Sequence, residues 1–314
     1  MYKPFLTVPL ALLIFMLSAC TSDDDINPED NDAAFELIIS DMTYNSSGAI
    51  FKVDPDSGIH TLLTDHGRFG LGPADVTVDE NGIIYVAVAY SSSGPPEVVM
   101  VDPEDGTQTT ISSGDYLKTS IHGIAADNSG NLLVTKGDVQ LDRKPRLLKI
   151  DIATGEQTIL SEGDKFFDVH DVATSEDGDI YVLGKGIMTV GSINYAVTTV
   201  FKIDPGTGEQ HIVFQIQDRF FNEIEVDGGG SILVTGKSIL RINPNDGSFD
   251  ELIASDGHTF YNCITVSRSN EIYIVKTRSS FYRVGRVEAD SGFVTTLSTE
   301  SFNSLPTGMS IRYP

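Results

Sequence analysis

Apolar and polar residues alternate along most of this chain, in short bursts that stop at turn-forming residues and start again. "DVTVDENGIIYVAVA" runs from Asp75 to Ala89, "GIAADNSGNLLVT" from Gly123 to Thr135 and "DVATSEDGDIYVLG" from Asp171 to Gly184. "EIEVDGGGSILVTG", from Glu223 to Gly236, and "CITVSRSNEIYIVK", from Cys263 to Lys276, repeat the design. A two-residue period is that of a half-buried strand, and no stretch sustains the period of an amphipathic helix. Each turn ends in Gly or Asn, which accept the positive φ of a tight hairpin. Each burst therefore predicts a β-hairpin.

A second pattern stands between these hairpins: a β-branched strand, then Asp or Asn, then a turn closing on Gly. Its copies are "FKVDPDSG", "VMVDPEDG", "LKIDIATG", "FKIDPGTG", "LRINPNDG" and "GRVEADSG". The residues that head the turns are Asp54, Asp102, Asp151, Asp204, Asn243 and Glu288, spaced 39 to 53 residues apart. Two hairpins per repeat of this length suit one four-stranded propeller blade. The last segment, "PTGMSIRYP" (Pro306–Pro314), reads as an innermost strand with no second strand after it. The first, "FELIISDMTY" (Phe35–Tyr44), reads as a second strand with no innermost strand before it. The expected fold class is therefore all-β: a six-bladed β-propeller of four-stranded blades over residues 35–314. Its sixth blade is closed by the N- and C-terminal strands, which removes free sheet edges.

The recurring "P-x-G-I-x-x-D-x-x-G-x-I-Y-V", seen as "IHGIAADNSGNLLV" and "LPTGMSIR", resembles the NHL and SMP-30/gluconolactonase-like propellers. The resemblance covers nearly all of residues 35–314. Many functions share such propellers, so it speaks to fold more than to chemistry. For the gluconolactonase-like members it implies a divalent cation (Ca²⁺ or Zn²⁺) on the axis and a metal-dependent hydrolase or lyase of lactonase type. It also implies that side chains at the start of each innermost strand approach the axis.

The short, uniform turns all fall on one face of such a propeller. The variable connections fall on the other, with Lys136–Arg146 and Gly184–Thr199 the long examples. Binding is expected at this loop-rich mouth. Two polar columns meet there. The first holds Ala74, His122, His170, Asn222, Asn262 and Thr307; the second holds Asp75, Gly123, Asp171, Glu223, Cys263 and Gly308. By the resemblance, His122, His170, Asn222 and Asn262 are the candidate metal ligands, and imidazole nitrogens and amide oxygens are competent donors. His170, Asp171 and Glu223 are the candidate catalytic residues, with Asp168 or Asp171 placed to orient the His170 ring. The family's carboxylates are incomplete: Ala74 or Asp75 stands where the family has Glu, and Thr307 where it often has Asp. The alternative is that these polar residues cap strand ends and bond loop carbonyls.

Aromatic residues precede the first column, among them Phe167, Phe221 and Tyr261. They read either as blade packing or as a rim around a ligand. Arg143 and Lys144, with Lys136, Arg146 and Lys185, read either as solvated loops or as a hold for an anionic ligand. Cys263 has no paired base in sight and reads as a small apolar filler.

Composition changes this picture in two places. With 45 acidic and 21 basic residues the net charge is −24, which repels phosphate backbones and argues against a nucleic-acid partner. A single cation, Lys3, is followed by the apolar "FLTVPLALLIFMLSA" and then Cys20. That order resembles a bacterial lipobox: a signal peptide over residues 1–19, then a cysteine that takes up lipid. Acyl chains would hold the protein at a membrane without a transmembrane helix. Residues 20–34 follow as an acidic tether. "SDDD" (Ser22–Asp25) resembles the export signal of surface lipoproteins in Bacteroidota. The expectation is an outer-membrane lipoprotein, surface-exposed or periplasm-facing and monomeric, that binds a small-molecule or protein ligand. The lactonase-like enzyme is the alternative.

Overall fold

Six four-stranded antiparallel sheets surround a central axis. The computed structural model describes residues 34–43, 47–70, 72–90, 94–118, 121–137, 144–163, 165–298, 301–302 and 305–314. The signal segment, Cys20, nearly all of the acidic tether and Arg143 lie outside the described residues. Blades one to five cover residues 72–113, 121–162, 168–216, 221–253 and 260–296. Blade six joins Pro306–Arg312, as its innermost strand, to Glu36–Asp41, Ala49–Val53 and His60–Asp65. The ring closes as the unmatched terminal strands predict.

The alternation explains the packing. Among the described residues, one apolar cluster lies between each neighbouring pair of blades. Blade one, for instance, offers Val76, Ile84, Val86 and Val99 to Ile38 and Ile50 of blade six. Burying such surface is the main favourable term, at about 25 cal/mol per Å².

The repeated turns have two jobs. Their leading Asp or Asn accepts backbone N–H groups two or three residues on; Asp204 takes those of Gly206 and Thr207 at 3.0 and 2.7 Å. Their closing Gly, at positive φ, packs on a backbone carbonyl of the adjacent blade. A Cβ on Gly208 would sit 1.7 Å from the Leu160 oxygen. The residue after next is Gln in three copies, and it too crosses to the neighbouring blade. Gln210 donates to the Ser161 hydroxyl at 2.9 Å and accepts from the Lys165 N–H at 2.9 Å.

One expected loop is not a loop. Within Gly184–Thr199 the strands Ile180–Val190 and Ile193–Ile203 continue outward and turn at Gly191. Gly184 and Gly186, which suggested a loop, are strand positions crowded by Asp168 and Thr199.

Candidate functional site

The first polar column is set apart by the backbone. The strand register slips at or beside this position in every innermost strand, for example between Val169 and Asp171 and between Phe221 and Glu223. Such bulges re-aim a side chain away from the ladder. As a result His122, His170 and Asn222, from consecutive blades, line a cavity of ≈ 200 Å³ at the loop-rich mouth, with Asp171 and Glu223.

The His170 backbone is held by the Thr135 hydroxyl, which donates to its carbonyl at 3.0 Å and accepts the Gly123 N–H at 2.8 Å. The ring is less constrained. Its Nε2 is buried and has no hydrogen-bond partner. Asp168 Oδ2 stands 4.0 Å away, beyond hydrogen-bond range, and is itself 3.8 Å from Lys185. Burial lowers the His170 pKa to about 4; Asp168 opposes the shift, and Lys185 and His122 add to it. Burial also lowers the His122 pKa, again against Asp168. Both imidazoles are therefore neutral at pH 7. Asn222 donates through Nδ2 to the Asn262 carbonyl at 2.8 Å, while its buried Oδ1 has no partner.

The four expected metal ligands do not assemble into one shell. The Asn262 Oδ1 accepts the Thr277 hydroxyl. The His122 and His170 rings meet edge to face with centroids 6.5 Å apart. An ion about 2.1 Å from a nitrogen of each ring would need both nitrogens aimed almost along one line. Among the described residues, no three His, Cys, Asp or Glu side chains cluster as a metal site. The donor set does not fit a resident divalent ion bridging both histidines.

Beneath the mouth the second column forms a waist. Asp75 accepts the Val76 and Ile124 N–H groups at 2.7 and 2.8 Å. Asp171 accepts those of Val172 and Ile224, both at 2.8 Å. Each aspartate thus bonds to the next blade. Each also fills space left by a glycine of the preceding one: a Cβ on Gly308 or Gly123 would lie 2.0 or 2.1 Å from its Oδ1. Asp171 is committed to this lock and does not orient His170. Burial pushes its pKa up to about 7. Burial, then Asp171, holds Asp75 well above the usual carboxylate range. Glu223 is likewise raised, by burial and then by Asp171, Asp75 and Glu225. No protein group hydrogen-bonds the Glu223 carboxyl among the described residues.

A larger cavity, ≈ 300 Å³, opens on the opposite, short-turn face and shares the Asp171 and Glu223 lining. It adds Thr77, Glu225, Ser310, Arg268 and Tyr313. Burial brings the Glu225 pKa to about 7. Sequence reasoning passed over Glu225, although its alternation with Glu223 in "NEIEVD" was the available signal.

No protein-family model matches the sequence, and no curated protein does. Solved structures do. The periplasmic gluconolactonase of Pseudomonas aeruginosa superposes with a TM-score of 0.58 at 15% identity, over 90% of this chain and 100% of that one. A gluconolactonase of Xanthomonas campestris gives 0.56 at 16%, over 78% and 84%. TolB of Acinetobacter baumannii gives 0.62 at 13%, over 90% and 67%. The fold is shared with gluconolactonase propellers. At these identities the likeness is one of fold, so the chemistry has to come from the residues themselves.

The remaining candidates separate clearly. Phe221 and Tyr261 are 1% and 7% exposed and belong to the inter-blade cores, not to a rim. Phe167 is 58% exposed, as is about half of Phe220. Of the two readings of these aromatics, blade packing holds for Phe221 and Tyr261, whereas Phe167 and Phe220 stay at the surface. Lys144 and Arg146 contact Glu162 on an outer strand at 3.5 and 3.0 Å, so their charge is spent there. Cys263 is a buried free thiol within a core cluster. Burial, then Glu223, raises its pKa well above the usual range, which makes it a filler.

Proposed function

We propose that this protein is a ligand-binding propeller of the cell envelope that takes a compact, hydroxyl-rich ligand at the mouth formed by His122, His170 and Asn222. The observation that carries this reading is the pair of buried atoms without partners, His170 Nε2 and Asn222 Oδ1. Each unsatisfied buried group costs about 1–3 kcal/mol, which a ligand that donates a hydroxyl to Asn222 and bonds His170 would offset. The ≈ 200 Å³ cavity is below the usual range of about 300–1,000 Å³ and limits the ligand to a small one. Calorimetric titration with polyols, aldonic acids and aldonolactones tests this. A binder is expected whose affinity falls at least tenfold in His170→Ala and Asn222→Ala while both variants keep the parent melt. Equal affinity in parent and variants would sink the mouth as the site.

A second reading, hydrolysis of a lactone, is supported by Glu223. Burial and its acidic neighbours raise its pKa well above the usual carboxylate range, and it has no hydrogen-bonding protein partner among the described residues. It lies in a cavity that also holds a neutral imidazole. One acid and one base are what ring opening by water requires. Proton release from an aldonolactone, lost in both Glu223→Gln and His170→Ala, would support it. Release that is equal in parent and variants would refute it.

The envelope location rests on the lipobox-like "LSAC" and the lipid it implies on Cys20. Cys20→Ala is expected to leave the membrane fraction; a variant that still sediments with membranes removes the anchor from this reading.

A further inference from the structure

The hairpin of blade five carries a cluster of like charge. Strands Ile272–Arg278 and Phe281–Val287 pair with Lys276 opposite Arg283 and Arg278 opposite Phe281. Side chains alternate along a strand, so these four share one face of the hairpin. Ser279 and Ser280, at φ 53° and 67°, form the two-residue turn that sets the register. Lys276, Arg278, Phe281 and Arg283, with Ser279, Thr259 and Thr296, line a cavity of ≈ 420 Å³ on the loop-rich side. It shares no lining residue with the axial mouth.

Among the described residues, none of the three cations makes an ion pair or a side-chain hydrogen bond. Asp256, whose charge reaches Arg278 through space, is already engaged. It accepts the N–H groups of His258 and Thr259 at 2.8 and 2.6 Å and the Thr259 hydroxyl at 2.8 Å. Like charges directly opposite destabilise a sheet. In a chain with 45 acidic residues, three facing cations left without a carboxylate stand against the composition. Burial, and then Arg283, also lowers the Lys276 pKa, as expected of a cation short of a counterion.

We infer that this cavity binds a multiply charged oxyanion, a phosphate or sulfate group carried on a small soluble ligand. Two guanidinium groups offer forked donors suited to a tetrahedral oxyanion, and Lys276 adds a third positive charge. The exposed Phe281 ring, 59% accessible, supplies an apolar wall for a carbon skeleton.

The test is thermal melting of the full-length protein with inorganic phosphate or sulfate, at ionic strength matched with sodium chloride. The parent is expected to show a saturable rise in Tm with anion concentration, since a ligand of the native state alone stabilises it. Arg283→Gln should lose that rise. Arg283→Glu should lose it too, and should melt above the parent in chloride alone, because a carboxylate then faces Lys276. A parent with no response beyond matched chloride, or equal responses in parent and Arg283→Glu, overturns the proposal. The Cys20→Ala chain is also mixed with phosphatidylglycerol vesicles. No sedimentation is expected; sedimentation abolished by Arg283→Glu would assign the cations to a lipid headgroup and overturn the soluble ligand.

Discussion

His170 and Glu223 face one cavity and are perturbed in opposite senses by the same cause. Burial disfavours charge on both, so the imidazole resists a proton and the carboxyl gives one up less readily. The sequence alone suggests a histidine titrating near 6.5; the structure moves it to about 4. Asp171, which lines the same cavity, titrates at about 7, so the His170 part of ligand affinity is read as the difference between parent and His170→Ala. That difference should stay flat across about pH 5.5–8 and shrink only as pH falls toward 4. A midpoint near 6.5 in that difference, read by calorimetric titration, would show that the His170 ring is not buried in solution. For stability the signs differ. His170 has a folded pKa below its unfolded value, so its contribution is complete above 6.5 and is lost as pH falls through about 4. Glu223 has a folded pKa above its unfolded value of 4.5, so its contribution is present below 4.5 and is lost as pH rises. Glu223→Gln should therefore melt above the parent at about pH 8, with the gap closing toward 4.5. A constant gap across that range would show that Glu223 is not protonated by the fold.

At the scale of elements, two kinds of glycine lock the blades together. Gly208 needs a positive φ and lies against the Leu160 carbonyl. Gly208→Ala should cost roughly 1–2 kcal/mol for the left-handed backbone and about 1–3 more for overpacking. Gly123 has ordinary backbone angles but lies against Asp171, so Gly123→Ala should cost only the second, about 1–3 kcal/mol. Denaturant unfolding of both checks the order; a Gly123→Ala variant as stable as the parent would mean that Asp171 can move aside. The turn glycine was legible in the sequence, because "DPGTGEQ" announces its conformation locally. The Gly123 role was not, because its partner Asp171 sits on another blade. The long hairpin at residues 180–203 was misread for the same reason: Gly184 and Gly186 look like turn residues until their strand neighbours are known.

At the scale of the molecule, the last strand holds the ring shut. Arg312 reaches the Gly82 carbonyl at 3.1 Å and both Glu36 and Glu104 at 3.0 Å, joining blade one to the first and last strands of the ring. Deleting Pro306–Pro314 should abolish cooperative melting, since it opens two blade interfaces at once; an unchanged cooperative melt would contradict this closure. Arg312→Ala, which leaves the strand in place, should cost about 1–3 kcal/mol. The count of blades, the closure and the two unlike faces follow from strand period and turn chemistry. Those are properties of neighbouring residues, so the chain states them in order. The polar columns could be aligned in the same way, and His122, His170 and Asn222 of the first column line one cavity. Which atoms in a column remain free is a different matter. Asn262 turns to Thr277, Asp171 locks to Ile224, and Lys276 finds itself facing Arg283. Each outcome depends on a partner from another strand or blade. Burial by the whole ring, which sets the protonation of His170 and Glu223, exists only once the blades have closed.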